Sequence, residues 1–323
     1  MRNRCCFFAV AVGLALFILP SVSNAAFPEK PVSIIIGYAP GGTSDNMARI
    51  LAEHVGKILG QKITVENKTG GGGIVCWTAV SKANPDGYTL GILSNGTITS
   101  KYVVKGVMFT YEDFEPLATI SIAGVHFLVK KGGPYDMPFR KLIDYIRDHP
   151  GEIKVGLSGT YNSNDFTRIL LERAAKITLP KVAFKGDSDV IPAVLGGHVA
   201  LGQITGFPAA LSLYRAGTIN SLAVSMNFRD PFAPDVPTLE ELGFGFSHNT
   251  FWSLGGPKGI PNDRLKILTD AVKKAMESQE MQENFKKVGL PMKYANPQDT
   301  FTLWKSYDKL YGQLSKDLGI EPK

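Results

Sequence analysis

Cysteine is scarce in this chain, and its placement excludes most thiol chemistry. Cys5 and Cys6 lie in the apolar stretch at the start, so Cys76 is the one thiol of the remainder and can form no disulfide within it. The ordinary use of such a residue is as a small buried hydrophobe; a nucleophilic role needs a base beside it. Histidine is also sparse. His54, His126, His149, His198 and His248 follow no spacing that signals a metal site or a catalytic triad. No block of Lys and Arg with interleaved aromatics occurs, which excludes nucleic acid as a partner. No glycine-rich stretch ends in Gly-Lys-Ser/Thr, which excludes a P-loop, and no cofactor is expected.

Long apolar runs are absent with one exception. Met1-Arg2-Asn3-Arg4 is basic, Cys5 to Leu19 is unbroken and apolar, and Pro20 and Ser23-Asn24-Ala25-Ala26 follow. This is the three-part pattern of a secretory signal peptide over residues 1–25, with a run too short to span a bilayer comfortably. The expected product is an exported chain beginning at Ala26 or Phe27. Losing Arg2 and Arg4 lowers the formal charge from +6 to +4. With 323 residues, 44% of them hydrophobic and 20% charged, the composition is that of a soluble globular protein with room for two domains.

What is present is an alternation of strand and helix patterns. Val32 to Ile36 is a β-branched run that reads as a buried parallel strand. Met47 to Leu59 has helical apolar spacing and ends at Gly60. Strands follow at Ile63 to Asn67 and Tyr88 to Leu93, with a helix from Ile74 to Lys82 between them. The pattern restarts near residue 120, with strands at Val125 to Val129, Ile153 to Leu157, Val182 to Phe184, Leu201 to Ile204 and Ser221 to Ser225. The order predicts two doubly wound α/β domains around a cleft, with C-terminal helices. Residues 27–122 with 228–323 form the first domain in this reading, and 123–227 the second. The last helix carries Phe301, Trp304, Tyr307, Leu310, Tyr311 and Leu314 on one stripe, a pattern of core packing rather than a ligand box.

Two loops carry the functional signal. IGYAPGGTSDNMAR (36–49) and VGLSGTYNSNDFTR (155–168) share one grammar: strand, then Gly with Ser and Thr, then Asp, then helix. The first amides of a helix lack internal partners and carry partial positive charge, and glycines let a ligand approach them. Such loops suit an anion without any arginine. The candidates are Gly41, Gly42, Thr43 and Ser44 in the first loop and Ser158, Thr160 and Ser163 in the second, with Asp45 and Asp165 read as helix caps. A secreted hydrolase is the rival reading. Ser158 sits on a Gly-rich turn, but GLSGT lacks the second glycine of G-x-S-x-G. A ligand sensor that docks on a membrane receptor is a third possibility.

The chain resembles the solute-binding receptors of the tripartite tricarboxylate transporter family, the Bug-type periplasmic binding proteins. The stretches that carry the resemblance include PEKPVSIIIGYAPGGTSDNMARILAE, GQKITVENKTGGGG, ANPDGYTLGILSNGT, PGEIKVGLSGTYNSND, VAFKGDSDVIPAVLGGHVALGQ and WSLGGPKGIP, in the family order. It implies a type II-like periplasmic binding protein, monomeric, that closes on a small organic acid and delivers it to two membrane subunits of a transporter. It implies that the loops around Ala39 to Asp45 and Ser158 to Asp165 pinch one carboxylate of the ligand, partly through water, and that Ser94 and Asn95 line the cleft. Tyr38, Tyr161, Asn162, Lys185 and Thr205 complete the candidate set, and Trp252 matches a family aromatic. Two departures stand out. Tyr161 replaces a glycine of the usual second loop, and the stretch Gly196 to Thr205 lacks the acidic residues common there, which argues against an amino-acid ligand.

Overall fold

The computed structural model describes residues 27–160, 162–317 and 319–321. The leader expected over residues 1–25 and the candidate Tyr161 lie outside them.

The chain begins with β1 (Val32–Ile36), α1 (Thr43–Leu59), β2 (Ile63–Asn67), α2 (Ile74–Ser81), β3 (Thr89–Ser94) and α3 (Asn95–Val103). A long strand, β4 (Phe114–Lys130), leads to α4 (Phe139–Asp148), β5 (Val155–Ser158), α5 (Ser163–Ala175), β6 (Lys181–Phe184), α6 (Asp187–Leu195), β7 (Leu201–Thr205), α7 (Leu211–Arg215) and β8 (Ile219–Val224). The chain then returns through β9 (Asn249–Pro257), α8 (Asn262–Glu277), α9 (Gln279–Lys287), β10 (Met292–Ala295) and α10 (Pro297–Asp317). Gly60 ends α1 with φ 65°, the left-handed C-terminal turn its position predicts.

The strands join in the order β2-β1-β3-β9-β4-β7-β5-β6, with β8 and β10 also paired to β4. Two parallel sets flank an antiparallel centre. β1 lies between β2 and β3, and β5 between β6 and β7, all parallel. β9 runs antiparallel to β3 and β4, and β4 is antiparallel to β7 and β8. Parallel pairing, as in doubly wound domains, therefore holds within each set, and the centre is antiparallel. β4 binds the two halves in one strand: up to Gly124 it pairs with β9, and from Val125 with β7.

Each glycine loop leaves the middle strand of its parallel set. The chain turns to one side after β1 and to the other after β2, so the carboxyl end of β1 is a topological switch point, and β5 repeats the arrangement. Crevices open at such points. The strand cores are apolar and buried, with Val32, Ile36, Leu51 and Leu117 in one cluster and Phe127, Leu142, Val155 and Leu201 in another. The aromatic stripe of α10 packs as a core face: Trp304 and Tyr311 are fully buried and Leu310 points outward.

Candidate functional site

The two glycine loops meet across the sheet and close over a small cavity. It has a volume of ≈ 30 Å³ and is walled by Tyr38, Thr43, Ser44, Ser158, Asn164 and Asp187 among others. The halves touch directly here. The Ala39 amide donates to the Lys185 carbonyl at 3.2 Å, and the Ser188 hydroxyl to the Pro40 carbonyl at 2.9 Å. Gly72 allows the closest approach: at φ +67°, a Cβ there would lie 2.1 Å from the Thr160 carbonyl oxygen.

Four helices start at this cavity. The N-caps are Gly42 for α1, Ser94 for α3, Asn162 for α5 and Gly186 for α6. Their first-turn amides have no intrahelical acceptors, and each helix presents the positive end of its dipole. Among the described lining residues there is no Lys, Arg or His. The donors at this place are backbone, hydroxyl and amide groups rather than cationic side chains.

The hydroxyls differ in what they have left to give. Thr43 Oγ1 lies 2.7 Å from the Thr205 carbonyl, which can only accept, and so its proton is committed there. Ser44 Oγ accepts from Trp252 Nε1 at 3.0 Å, and Ser158 Oγ accepts from Asn164 Nδ2 at 2.7 Å. Both serines keep a proton to donate. Asn164 is held in turn by the Thr205 hydroxyl at 2.7 Å. Asn162 caps α5, its Oδ1 accepting from the amides of Asn164 and Asp165, while its amide group reaches the Ser158 carbonyl. Ser163 bonds the Thr250 hydroxyl. Tyr38 donates to the Gly72 carbonyl at 3.0 Å, and burial pushes its phenol pKa well above the ordinary range.

Several candidates do not reach the cavity. Asp45 is the third residue of α1, not its cap. It accepts from the Gly41 amide, from Arg49 at two positions and from Asn67, all at 2.8–3.0 Å. Burial alone would raise its pKa; those donors outweigh it and hold the carboxyl below its usual value. The Gly41 amide is used up in this way. Asp165 repeats the arrangement on α5, paired with Arg168 and Lys181. Asn95 turns away from the cavity. It donates to the Asn249 carbonyl and to Tyr311, and accepts from the Phe251 amide, fastening α3 to β9 and α10. Thr160 and Lys185 border a neighbouring surface depression with Gly70 to Gly72. Ala39 contributes the backbone strap to Lys185 described above.

Asp187, Asn164 and Thr250 were missed as candidates and line the cavity. Asp187 was legible in principle: Phe184-Lys185-Gly186-Asp187 is a third strand-glycine-helix turn of the same kind. Thr250 gave no local signal, because its position depends on β9 crossing between the halves.

Asp187 is the one acid among the described residues of the wall. Oδ2 lies 3.1 Å from Thr43 Oγ1, and Oδ1 is buried without a hydrogen-bond partner. Burial pushes its pKa up to about 6, against the lowering influence of the Ser158 and Thr43 hydroxyls and the Thr205 amide.

A family model described as "Tripartite tricarboxylate transporter family receptor" matches residues 47–320. The chain belongs to this receptor family. The receptor is 31% identical over 294 residues to the Cupriavidus necator "UPF0065 protein in gbd 5'region", covering 90% of this chain and 88% of that one. Its fold matches the solved periplasmic binding protein BugD at TM-score 0.86, with 27% identity over 92% of this chain and 100% of that one. It matches the solved structure of a Rhodopseudomonas palustris protein with adipate at TM-score 0.85, with 26% identity and the same coverage. Family and fold are those of solute-binding receptors.

Proposed function

We propose that this receptor captures a small organic carboxylate in the periplasm and presents it to the membrane subunits of a tripartite tricarboxylate-type transporter. The observation that carries this reading is the convergence of four helix N-termini and two proton-bearing serines on a cavity whose described walls hold no cationic side chain. That combination suits a carboxylate, which can accept several neutral donors at once. The adipate-bound relative supports the ligand class. Residues 1–25 act as the export signal. The body divides into 27–122 with 228–323 and 123–227, hinged where β4 changes partners at Gly124 and Val125. The protein works as a monomer and catalyses no reaction. Ligand binding favours the closed form, and the closed form is what the membrane subunits recognise.

The test is a thermal-shift and calorimetric screen of the chain from residue 27 onward against di- and tricarboxylates, aromatic acids and amino acids. One or more acids should raise the melting temperature by mass action. Ser44→Ala with Ser158→Ala should then weaken binding of that acid by about 1–3 kcal/mol, while Thr43→Val, whose proton is committed to Thr205, should weaken it less. A double variant with full affinity would mean that the loops only connect strand to helix.

A further inference from the structure

Asp187 is out of place in a site built for an anion. It is the first residue of α6 and only 6% exposed, and it faces the same space as the donors of Ser44 and Ser158. No cation answers it. Asp45 and Asp165, the acids of the neighbouring loops, are paired with Arg49 and with Arg168 and Lys181, whereas no ion pair is formed by Asp187 among the described residues. Its Oδ1 is buried and makes no hydrogen bond. A buried carboxylate oxygen that the protein leaves without a donor, on the wall of a ligand cavity, is an acceptor awaiting a donor from the ligand.

We propose that Asp187 is the specificity-determining residue of this receptor, and that it selects carboxylates carrying a nitrogen–hydrogen donor, an ammonium or amide, placed to meet Oδ1. This rests on the carboxylate reading above and narrows it. The helix ends and serines hold the ligand's carboxylate, and Asp187 accepts from its nitrogen. A carboxylate without such a donor brings a second negative charge towards Asp187 and leaves Oδ1 unmet, so it is rejected. The stretch Gly196 to Thr205 lacks acids, and that absence argued against an amino-acid ligand; an acid reaches the cavity instead from the turn at Gly186. The other titratable side chain on the described wall is Tyr38, which stays neutral across the working range and cannot substitute for a cation.

The experiment uses matched probes that differ in one nitrogen: succinate against aspartate and succinamate, glutarate against glutamate, propionate against alanine and benzoate against 2-aminobenzoate. Melting temperature and calorimetric Kd are measured for wild type, Asp187→Asn and Asp187→Ala at pH 8, where the Asp187 carboxyl is ionised, and at pH 5. For at least one pair the wild type should prefer the nitrogen-bearing member tenfold or more at pH 8. Asp187→Asn, whose amide donates as well as accepts, should lose or invert that preference, and Asp187→Ala should lose it. Ammonium and amide members of the panel tell the two donors apart. Equal or better binding of the nitrogen-free acids by wild type at pH 8 overturns the proposal and leaves the carboxylate reading intact. Nitrogen-free acids that gain affinity at pH 5 support it, since protonating Asp187 removes the charge that rejects them. If no probe of either kind shifts the wild type, the carboxylate reading itself falls, and this proposal with it.

Discussion

Two sets of buried polar groups in this protein make an instructive contrast. One set is closed upon itself. Asn95 donates to Tyr311 at 2.6 Å, so the Tyr311 proton goes to His248 Nε2, also at 2.6 Å. His248 must then carry its hydrogen on Nδ1, which meets Thr167 at 2.8 Å, and Thr167 passes its own to the Ser163 carbonyl at 2.9 Å. Every proton has one place to go. His126 is held in the same manner between Ser221 and Asp230, at 3.0 Å on each side. The other set lines the cavity, and there the count does not close: Ser44 and Ser158 keep a proton, and Asp187 keeps an unmet acceptor. Polar groups that satisfy one another specify the fold, and groups left over specify what must arrive.

The contrast also argues against a nucleophilic serine at two places where a histidine stands beside one. Ser221, His126 and Asp230 have the order of a catalytic triad. Yet all three are buried, and the Phe207 ring stands 4.0 Å from the imidazole. Ser163 lies 3.5 Å from His248 Nδ1, but that nitrogen carries the hydrogen and cannot take another.

The closed networks should be expensive to break. Asp230→Ala leaves His126 buried with no acceptor for its N–H, and by the usual cost of orphaning one partner of a buried pair should lower unfolding stability by about 3–5 kcal/mol. Urea titration measures it. The folded fraction should keep its ligand affinity, because nothing in that network reaches the cavity. A stable Asp230→Ala protein would break the comparison from its structural side.

The next largest effect concerns pH, where the two sets have opposite signs. Burial lowers the His248 pKa from 6.5 to about 4. The unfolded chain binds the extra proton between those values, so this stability is complete above the upper one and lost as pH falls through the window. Burial raises Asp187 from 3.8 to about 6. Here the folded state binds the extra proton, so this stability is present in acid and is lost as pH rises through about 6. Each amounts to roughly 3 kcal/mol at most. In the wild type the two oppose each other over much of the same range. Asp187→Asn removes one of them, and its stability relative to wild type should grow by about 2–3 kcal/mol between pH 4 and pH 7. Parallel pH profiles for the two proteins would mean that solvent reaches Asp187 freely.

How much of this was visible in the sequence follows from range. β1, α1 and the two glycine loops are local patterns, and they appear where the hydrophobic period and the turn residues place them. Thr43, Ser44, Ser158 and Ser163 follow from the same grammar, and all four line the cavity. The failures are non-local. β4 runs seventeen residues, from Phe114, where only its second half was anticipated, because its first half takes its meaning from β9 over a hundred residues away. Asp45 and Asp165 sit where a cap or a ligand contact is plausible, and only the tertiary placement of Arg49, Asn67 and Lys181 shows them to be committed within their own halves. Asn95 has the composition of a cleft residue and the geometry of a fastener.

Lys185 gives the smallest expected effect and sharpens the contrast most cheaply. A lysine next to a proposed anion site invites the inference that it binds the anion. Here its side chain is exposed and borders the outer depression with Thr160 and Gly72, while the residue's contribution to closure is its carbonyl, which accepts from Ala39. A solvated ammonium at such a place is screened within about 8 Å at physiological salt. Lys185→Ala keeps the carbonyl and should change carboxylate affinity by less than about 0.5 kcal/mol at 150 mM salt, the range of an ordinary surface substitution. The variant should slow association at low salt if the ammonium steers the anion towards the cavity, with dissociation unaltered. A tenfold loss of affinity at 150 mM salt would instead place the ammonium on the bound ligand. The cavity would then be neutralised by a cation after all, and the backbone and hydroxyl donors would not be sufficient to hold the anion.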